Sequence, residues 1–190
     1  MMLNQLKLLI RFKPKHVFFA VKLAILKMRY GRSLSLSTYT LALEQDALLK
    51  ITGNASAKFG DMVYVSRNST LDVRGDACLE IGSEVFINKN CTIVSRFGVT
   101  VGNDCLIGEN VSIYDHDHEF SMLGRPIKEQ GYRGKRIVIG DRVWIGASAF
   151  IGKGVTIGDD VVIGAHAIIT KDVQKNSVVY CDTTLKTRPR

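Results

Sequence analysis

The stretch IGDRVWIGASAFIGKGVTIGDDVVIGAHAIITKDVQ, residues 139–174, decides the fold, because it is one phrase stated six times. Its hexads begin at Ile139, Ile145, Ile151, Ile157, Ile163 and Ile169. Upstream, VGNDCL, IGENVS and IYDHDH start at Val101, Ile107 and Ile113, and IGSEVF, INKNCT and IVSRFG at Ile81, Ile87 and Ile93. Two-residue slips separate the blocks, and a weaker version reaches back to about residue 51.

In each hexad the first residue is Ile or Val. The fifth is usually small or β-branched: Val85, Cys91, Cys105, Val111, Val143, Ala149, Val155, Val161, Ala167 and Val173. The fifth residue stands two before the first of the next hexad, so both point to one face of a short strand. Glycine at the second position is expected to supply a turn conformation that side chains resist. Six residues are too few for a hairpin, and no helical pattern intervenes. The consistent solution is an all-β solenoid of short parallel strands with three hexads to a coil.

A chain of 190 residues with 46% hydrophobic content is long enough for one domain with a real core. Of its 26 Lys and Arg, eight lie in residues 1–43 (Lys7, Arg11, Lys13, Lys15, Lys22, Lys27, Arg29 and Arg32), where no Asp or Glu occurs. The whole net charge of +8 therefore sits in the first fifth, and the body is neutral. That argues against nucleic acid as a partner of the body. The four cysteines show no CxxC pairing, which suits a reduced, cytoplasmic protein rather than a zinc or disulfide framework.

Three segments follow. Residues 1–43 are read as a basic helical segment, with short helices over 3–12 and 15–30 separated at Pro14. Residues 44–180 form the solenoid, and 181–190 a basic tail. The apolar run VFFAVKLAIL (17–26) is broken by Lys22 and too short to span a bilayer. Its cations are expected either to face outward from helices that cap the open end of the solenoid or to hold residues 1–32 against anionic lipid at the inner face of the membrane. Both readings stay open.

The phrase breaks once. Ile139 follows Ile113 by 26 positions where a step of six would suffice, so residues 119–138, EFSMLGRPIKEQGYRGKRIV, leave the solenoid as a loop. Immediately before it stand Asp115, His116, Asp117 and His118. Alternation from Ile113 turns both Asp inward and both His outward. A histidine is suited to remove a proton near neutral pH, and a carboxylate beside it can fix its tautomer.

The run over residues 140–173 resembles the hexapeptide-repeat acyltransferases, specifically the maltose/galactoside O-acetyltransferase-like branch and its relatives in surface-polysaccharide synthesis. The resemblance covers roughly residues 81–173. It implies a left-handed parallel β-helix, an exception to the usual right-handed crossover, a homotrimer, and acetyl-CoA as co-substrate in the groove between neighbouring chains. It implies that His118 is the general base, with His116, Asp115 and Asp117 as its candidate supports. For CoA it implies Gly146 and Ala147, Ala165, and Thr170 with Lys171. Trp144, outward by phase, either lines that groove or supports the trimer. Asn88 matches an acceptor position, and Ser95 and Arg96 stand where sugar acetyltransferases carry an acid, which favours a more anionic acceptor. The segment after residue 174 departs from the family's usual ending, so Arg188 and Arg190 are only candidates for the CoA phosphates. The γ-class carbonic anhydrases share the solenoid but need a further histidine that this loop lacks, so no metal is expected. The activity implied is transfer of acetyl from acetyl-CoA to a sugar or glycan-precursor hydroxyl. N-acetylation of an amino sugar and a non-catalytic scaffold are the alternatives.

Overall fold

The computed structural model describes residues 14–37 and 41–181. Helix α1 (Pro14–Tyr30) opens the chain and a short 3-10 turn follows over Gly31–Ser33. Gly31, at φ 51°, ends the helix in the left-handed conformation that a glycine adopts without strain. The strands then run β1 (Leu34–Leu36), β2 (Leu41–Leu43), β3 (Leu48–Gly53), β4 (Ser56–Phe59), β5 (Val63–Val65), β6 (Thr70–Gly75) and β7 (Cys78–Ile81). They continue with β8 (Phe86–Ile87), β9 (Thr92–Ser95), β10 (Val99–Val101), β11 (Leu106–Ile107), β12 (Ser112–Tyr114), β13 (His116–His118) and β14 (Tyr132–Gly134). The last are β15 (Ile137–Ile139), β16 (Trp144–Ile145), β17 (Phe150–Ile151), β18 (Thr156–Ile157), β19 (Val162–Ile163), β20 (Ile168–Ile169) and β21 (Val178–Val179).

Every strand outside β13 and β14 pairs in parallel with its counterpart one coil away, giving three sheets. The first holds β1, β4, β7, β10, β15 and β18; the second β2, β5, β8, β11, β16, β19 and β21; the third β3, β6, β9, β12, β17 and β20. This is a parallel β-solenoid with three strands per coil, consistent with the left-handed β-helix that the resemblance implied. Its core is a stack of like residues. Leu71, Ile93, Ile113, Ile151 and Ile169 lie in one register column of the third sheet, all buried.

Coil length explains why the repeat fades upstream. Ile139 pairs with Ile157, eighteen positions on, but Leu79 pairs with Val99 and Ala57 with Leu79, at twenty and twenty-two. The early coils use longer strands, six residues in β3 and β6, so the hexad phase does not hold there. For the same reason the solenoid starts before residue 44: β1 and β2 already belong to its sheets. Three-residue strands without a glycine corner give too little alternation to be recognised in sequence. The expected helix over 3–12 and the tail beyond residue 181 lie outside the described residues.

The glycine reading needs correction. The left-handed residue of each corner is the fourth of the hexad, not the second: Glu84, Asn90, Asp104, Asn110, Arg142, Ser148, Asp160 and His166 all have φ between 56° and 60°. Glycine holds the second position because the next coil lies too close. A Cβ on Gly102 would stand 2.6 Å from the carbonyl carbon of Gly140, and one on Gly146 2.6 Å from the Ala165 nitrogen. The four cysteines are free. Cys91 and Cys105 fill the small inward position, where burial pushes the Cys105 thiol up and the Cys91 thiol to about 11.

Helix α1 covers the exposed first coil. Lys22 Nζ donates to the carbonyls of Glu44, Gln45 (3.1 Å) and Ala47 (2.8 Å), Lys27 Nζ to that of Leu34, and the Tyr30 hydroxyl to that of Leu49 at 3.0 Å. Leu23, Leu26 and Tyr30 pack on the core. Helix α1 thus caps the open end as expected, but Lys22 and Lys27 are directed to rim carbonyls rather than outward, because those carbonyls have no strand beyond them to pair with.

The two corner positions make opposite predictions. Gly102→Ala should lower unfolding stability by about 1–3 kcal/mol through the backbone clash. Glu84→Gly should leave it within about 1 kcal/mol, because the left-handed strain it relieves offsets the added chain entropy. Urea unfolding of both variants checks this.

Candidate active site

The site forms where the chain leaves the third sheet after β12. Strand β12 continues the ladder, Ile113 over Ile93 and under Ile151, and Asp115 follows at the next inward position. A carboxylate in an aliphatic core is costly unless its oxygens are met by donors. Here they are met fully, for Asp115 has no exposed surface. Its Oδ2 accepts the backbone N–H groups of Phe97 (2.6 Å) and Gly98 (2.7 Å), and the Arg96 N–H lies 2.9–3.0 Å from both oxygens. The Ser95 hydroxyl approaches at 3.4 Å, and His116 Nδ1 sits 2.9 Å from Oδ1. The carboxylate therefore ties the corner after β9 to the point where the chain leaves the coil, and holds the His116 ring by one nitrogen.

Beyond Asp115 the chain departs from solenoid phase. Residues 116–118 form β13, which pairs antiparallel with β14: His116 opposite Gly134, Asp117 opposite Arg133, and His118 opposite Tyr132. The sequence reading turned Asp117 inward, and the structure corrects this. Asp117 is exposed and pairs with Lys153 on the corner after β17, because the strand has already left the coil. The excursion is also a hairpin rather than a free loop, and it rejoins the solenoid at Ile137, which pairs with Val99.

Both histidines line one pocket of about 380 Å³ with Tyr114, Asp117 and Phe150. His116 is mostly covered, and His118 lies open at the edge. Tyr132, which sequence reasoning missed, links them. Its ring meets the His116 ring edge-on at 5.3 Å and the His118 ring at 4.6 Å, and carries the Arg96 guanidinium at 3.6 Å. A tyrosine inside an ejected loop gives no phase signal, so only the antiparallel pairing reveals it.

The other expected residues divide. Arg96 stands beside the pocket, but Ser95 is buried beneath it as a partner of Asp115, so it cannot touch an acceptor. Asn88 lies at the turn between β8 and β9, where its side-chain oxygen accepts the Lys89 N–H. Gly146, Ala147 and Ala165 stack on the corner between the second and third sheets. Thr170 and Lys171 lie past β20, on the opposite edge of the third sheet, and line a cleft of about 380 Å³ with Asp172, Gln174 and Ser177. Trp144 is exposed on the outer face of the second sheet. Beside Arg96 on the third sheet, Arg74 binds Asp72 with two nitrogens and holds its carboxyl below the usual range. Among the described residues no three His, Cys, Asp or Glu converge as a metal site.

Comparison with known proteins assigns the repeat. Residues 136–171 match the family described as bacterial transferase hexapeptide (six repeats), and residues 79–115 the hexapeptide repeat of succinyl-transferase. Those two segments thus carry hexapeptide repeats, in keeping with the parallel solenoid described above. Among solved structures it is similar to AntD, an N-acyltransferase from Bacillus cereus in complex with dTDP and 3-hydroxybutyryl-CoA, at 17% identity over 88% of this chain and 88% of that one, TM-score 0.68. It is also similar to a mutant perosamine N-acetyltransferase from Caulobacter crescentus in complex with CoA and GDP-perosamine (20% identity, 88% and 63%, TM-score 0.53). A third is the acetyltransferase domain of PglB from Neisseria gonorrhoeae (18% identity, 75% and 55%, TM-score 0.52). At these identities the likeness establishes the fold.

Asp115→Ala would leave the N–H groups of Arg96, Phe97 and Gly98 without this acceptor. It should cost about 3–5 kcal/mol in urea unfolding, with Asp115→Asn intermediate.

Proposed function

We propose that this protein transfers an acetyl group from acetyl-CoA to a sugar or glycan precursor within a ternary complex, with His118 as general base. The observation that carries the reading is the two-histidine pocket fastened by the buried Asp115 where the hairpin leaves the solenoid. The acceptor oxygen attacks the thioester carbonyl while His118 removes its proton; the C–S bond then breaks and the CoA sulfur leaves, taking up a proton. No covalent intermediate is needed, and the raised thiols of Cys91 and Cys105 make neither a nucleophile.

His118 is favoured because it stands at the open edge of the pocket, where an acceptor reaches it. Asp115, His116 and Tyr132 then act in series: the carboxylate fixes His116, His116 buttresses Tyr132, and Tyr132 supports the His118 ring. His116, with its Nδ1 taken by Asp115, is the rival base. Arg96, half-buried over the Tyr132 ring, favours an acceptor carrying negative charge, such as a sugar linked to a nucleotide or lipid diphosphate.

A hydroxyl acceptor needs a base to take its proton, and an amine must also lose one, so the pocket fits either acceptor. The complexes of AntD and of the perosamine enzyme favour the second reading, N-acylation of an amino sugar. An acceptor screen with labelled acetyl-CoA decides: an ester product loses its label in mild alkali or hydroxylamine, an amide does not. Absence of transfer to any sugar would sink the enzymatic reading. In the active pair, His118→Ala should lower kcat by about 10²–10⁴ with KM for acetyl-CoA nearly unchanged. His116→Ala should lower it by about tenfold, and the reverse order would move the base to His116.

A homotrimer is part of the proposal. The outer column of the second sheet runs Tyr64, Phe86, Leu106, Trp144, Val162, Val178. Leu106 and Trp144 are each 54% exposed, and Val178 66%. The first sheet is polar, with Lys58, Glu80 and Arg136 joined at 2.9–3.0 Å. An apolar column on one face suits a neighbouring copy. Light scattering should give three chain masses, and Leu106→Glu/Trp144→Glu should give one.

A further inference from the structure

Helix α1 has two apolar faces, and the solenoid uses one of them. Leu23, Leu26 and Tyr30 turn inward to the core. On the other side Ala20, Val21, Ala24, Ile25 and Met28 form a continuous exposed stripe at helical spacing. Val21 is 54% exposed, Ile25 55% and Met28 83%. A helix that only capped the solenoid would carry polar residues there.

The sequence that flanks the stripe carries charge of one sign. Residues 1–43 hold eight Lys and Arg and no acid. Lys22 and Lys27 are directed to rim carbonyls, so the stripe itself is uninterrupted by charge. Arg29 and Arg32 are exposed at its C-terminal end. The nearest carboxylates in sequence sit on the capped rim. Glu44 accepts from the Tyr64 hydroxyl and the Arg67 N–H, both at 2.7 Å, and Asp46 acts on Lys22. No described helix is long and apolar enough to cross a membrane.

We propose that the outward stripe of α1 docks on an anionic lipid surface, its aliphatic side chains entering the headgroup region and the flanking arginines meeting lipid phosphates. A second copy of the chain is a poorer occupant, because a self-contact would set these same-sign segments against each other. The proposal is independent of acyl transfer: it can fail while the enzyme remains active, and the converse.

Co-sedimentation of the full chain tests it, using vesicles of phosphatidylcholine alone or rich in phosphatidylglycerol. The chain should pellet with the anionic vesicles only. Ile25→Ser/Met28→Ser should abolish binding, and Arg29→Gln/Arg32→Gln should weaken it roughly thirtyfold. All four side chains are exposed and outside the site, so an unchanged thermal melt shows that the variants fold. Equal pelleting of the wild type and the Ser variant overturns the proposal, as does pelleting with neither vesicle. A fall in mass by light scattering in the Ser variant, with vesicle binding kept, would assign the stripe to a protein contact and overturn it too.

Discussion

The stacking of like residues between coils is the constraint on which everything else in this molecule rests. Each inward Ile or Val lies in register with its counterpart one coil away, as Ile107 does with Ile145 and Ile145 with Ile163. Branched side chains packed at this density tolerate no slip, since a shift of one residue would turn every inward group to solvent. An insertion is accepted only if the chain returns in phase. The hairpin of β13 and β14 does so: Val99 pairs with Ile137 across it as evenly as Leu79 pairs with Val99 before it. Chemistry can therefore be added at a corner without altering the core.

Asp115 shows how the exit is stabilised. The position belongs to the inward column, and an uncompensated carboxylate there would oppose folding. The corner formed by Arg96, Phe97 and Gly98 turns its N–H groups toward that carboxylate, so one ion satisfies donors that a solenoid coil would otherwise have paired with the next strand. The same ion holds His116. Structural necessity and site geometry are thus met by one side chain, which is why a substitution at Asp115 affects stability as well as the pocket.

The legibility of the sequence followed the strength of periodicity. Where hexads were complete, strand positions, inward residues and the three-strand coil were all readable, down to Cys91 and Cys105 as small core residues. Where coils lengthen to twenty-two residues or more, phase is lost and β1 and β2 are not legible. Phase also misplaced Asp117, because alternation assumes that the strand continues, and this one turns away after Asp115. The glycines were found for the wrong reason: a pattern shows where a side chain is excluded, not whether torsion or a neighbouring coil excludes it. Ser95 and Arg96 are neighbours in sequence, yet Ser95 is buried beneath the pocket and Arg96 stands beside it on the Tyr132 ring, a distinction carried by one step of alternation.

The three faces differ chemically, and that difference bears on where a thioester could lie. The first face is laced with ion pairs, the second carries an apolar column, and the third bears the histidines beside Phe150. Within one chain, Gly146, Ala147 and Ala165 occupy one edge of the third sheet, while Thr170 and Lys171 share the other edge with the exit of β13. Trp144 faces away from both, on the second sheet. No single concavity can hold all of them, because adjoining faces of a three-sided solenoid point in different directions. In the homotrimer proposed above, a neighbouring copy seated on the apolar column of the second face would bring a second chain's residues beside these.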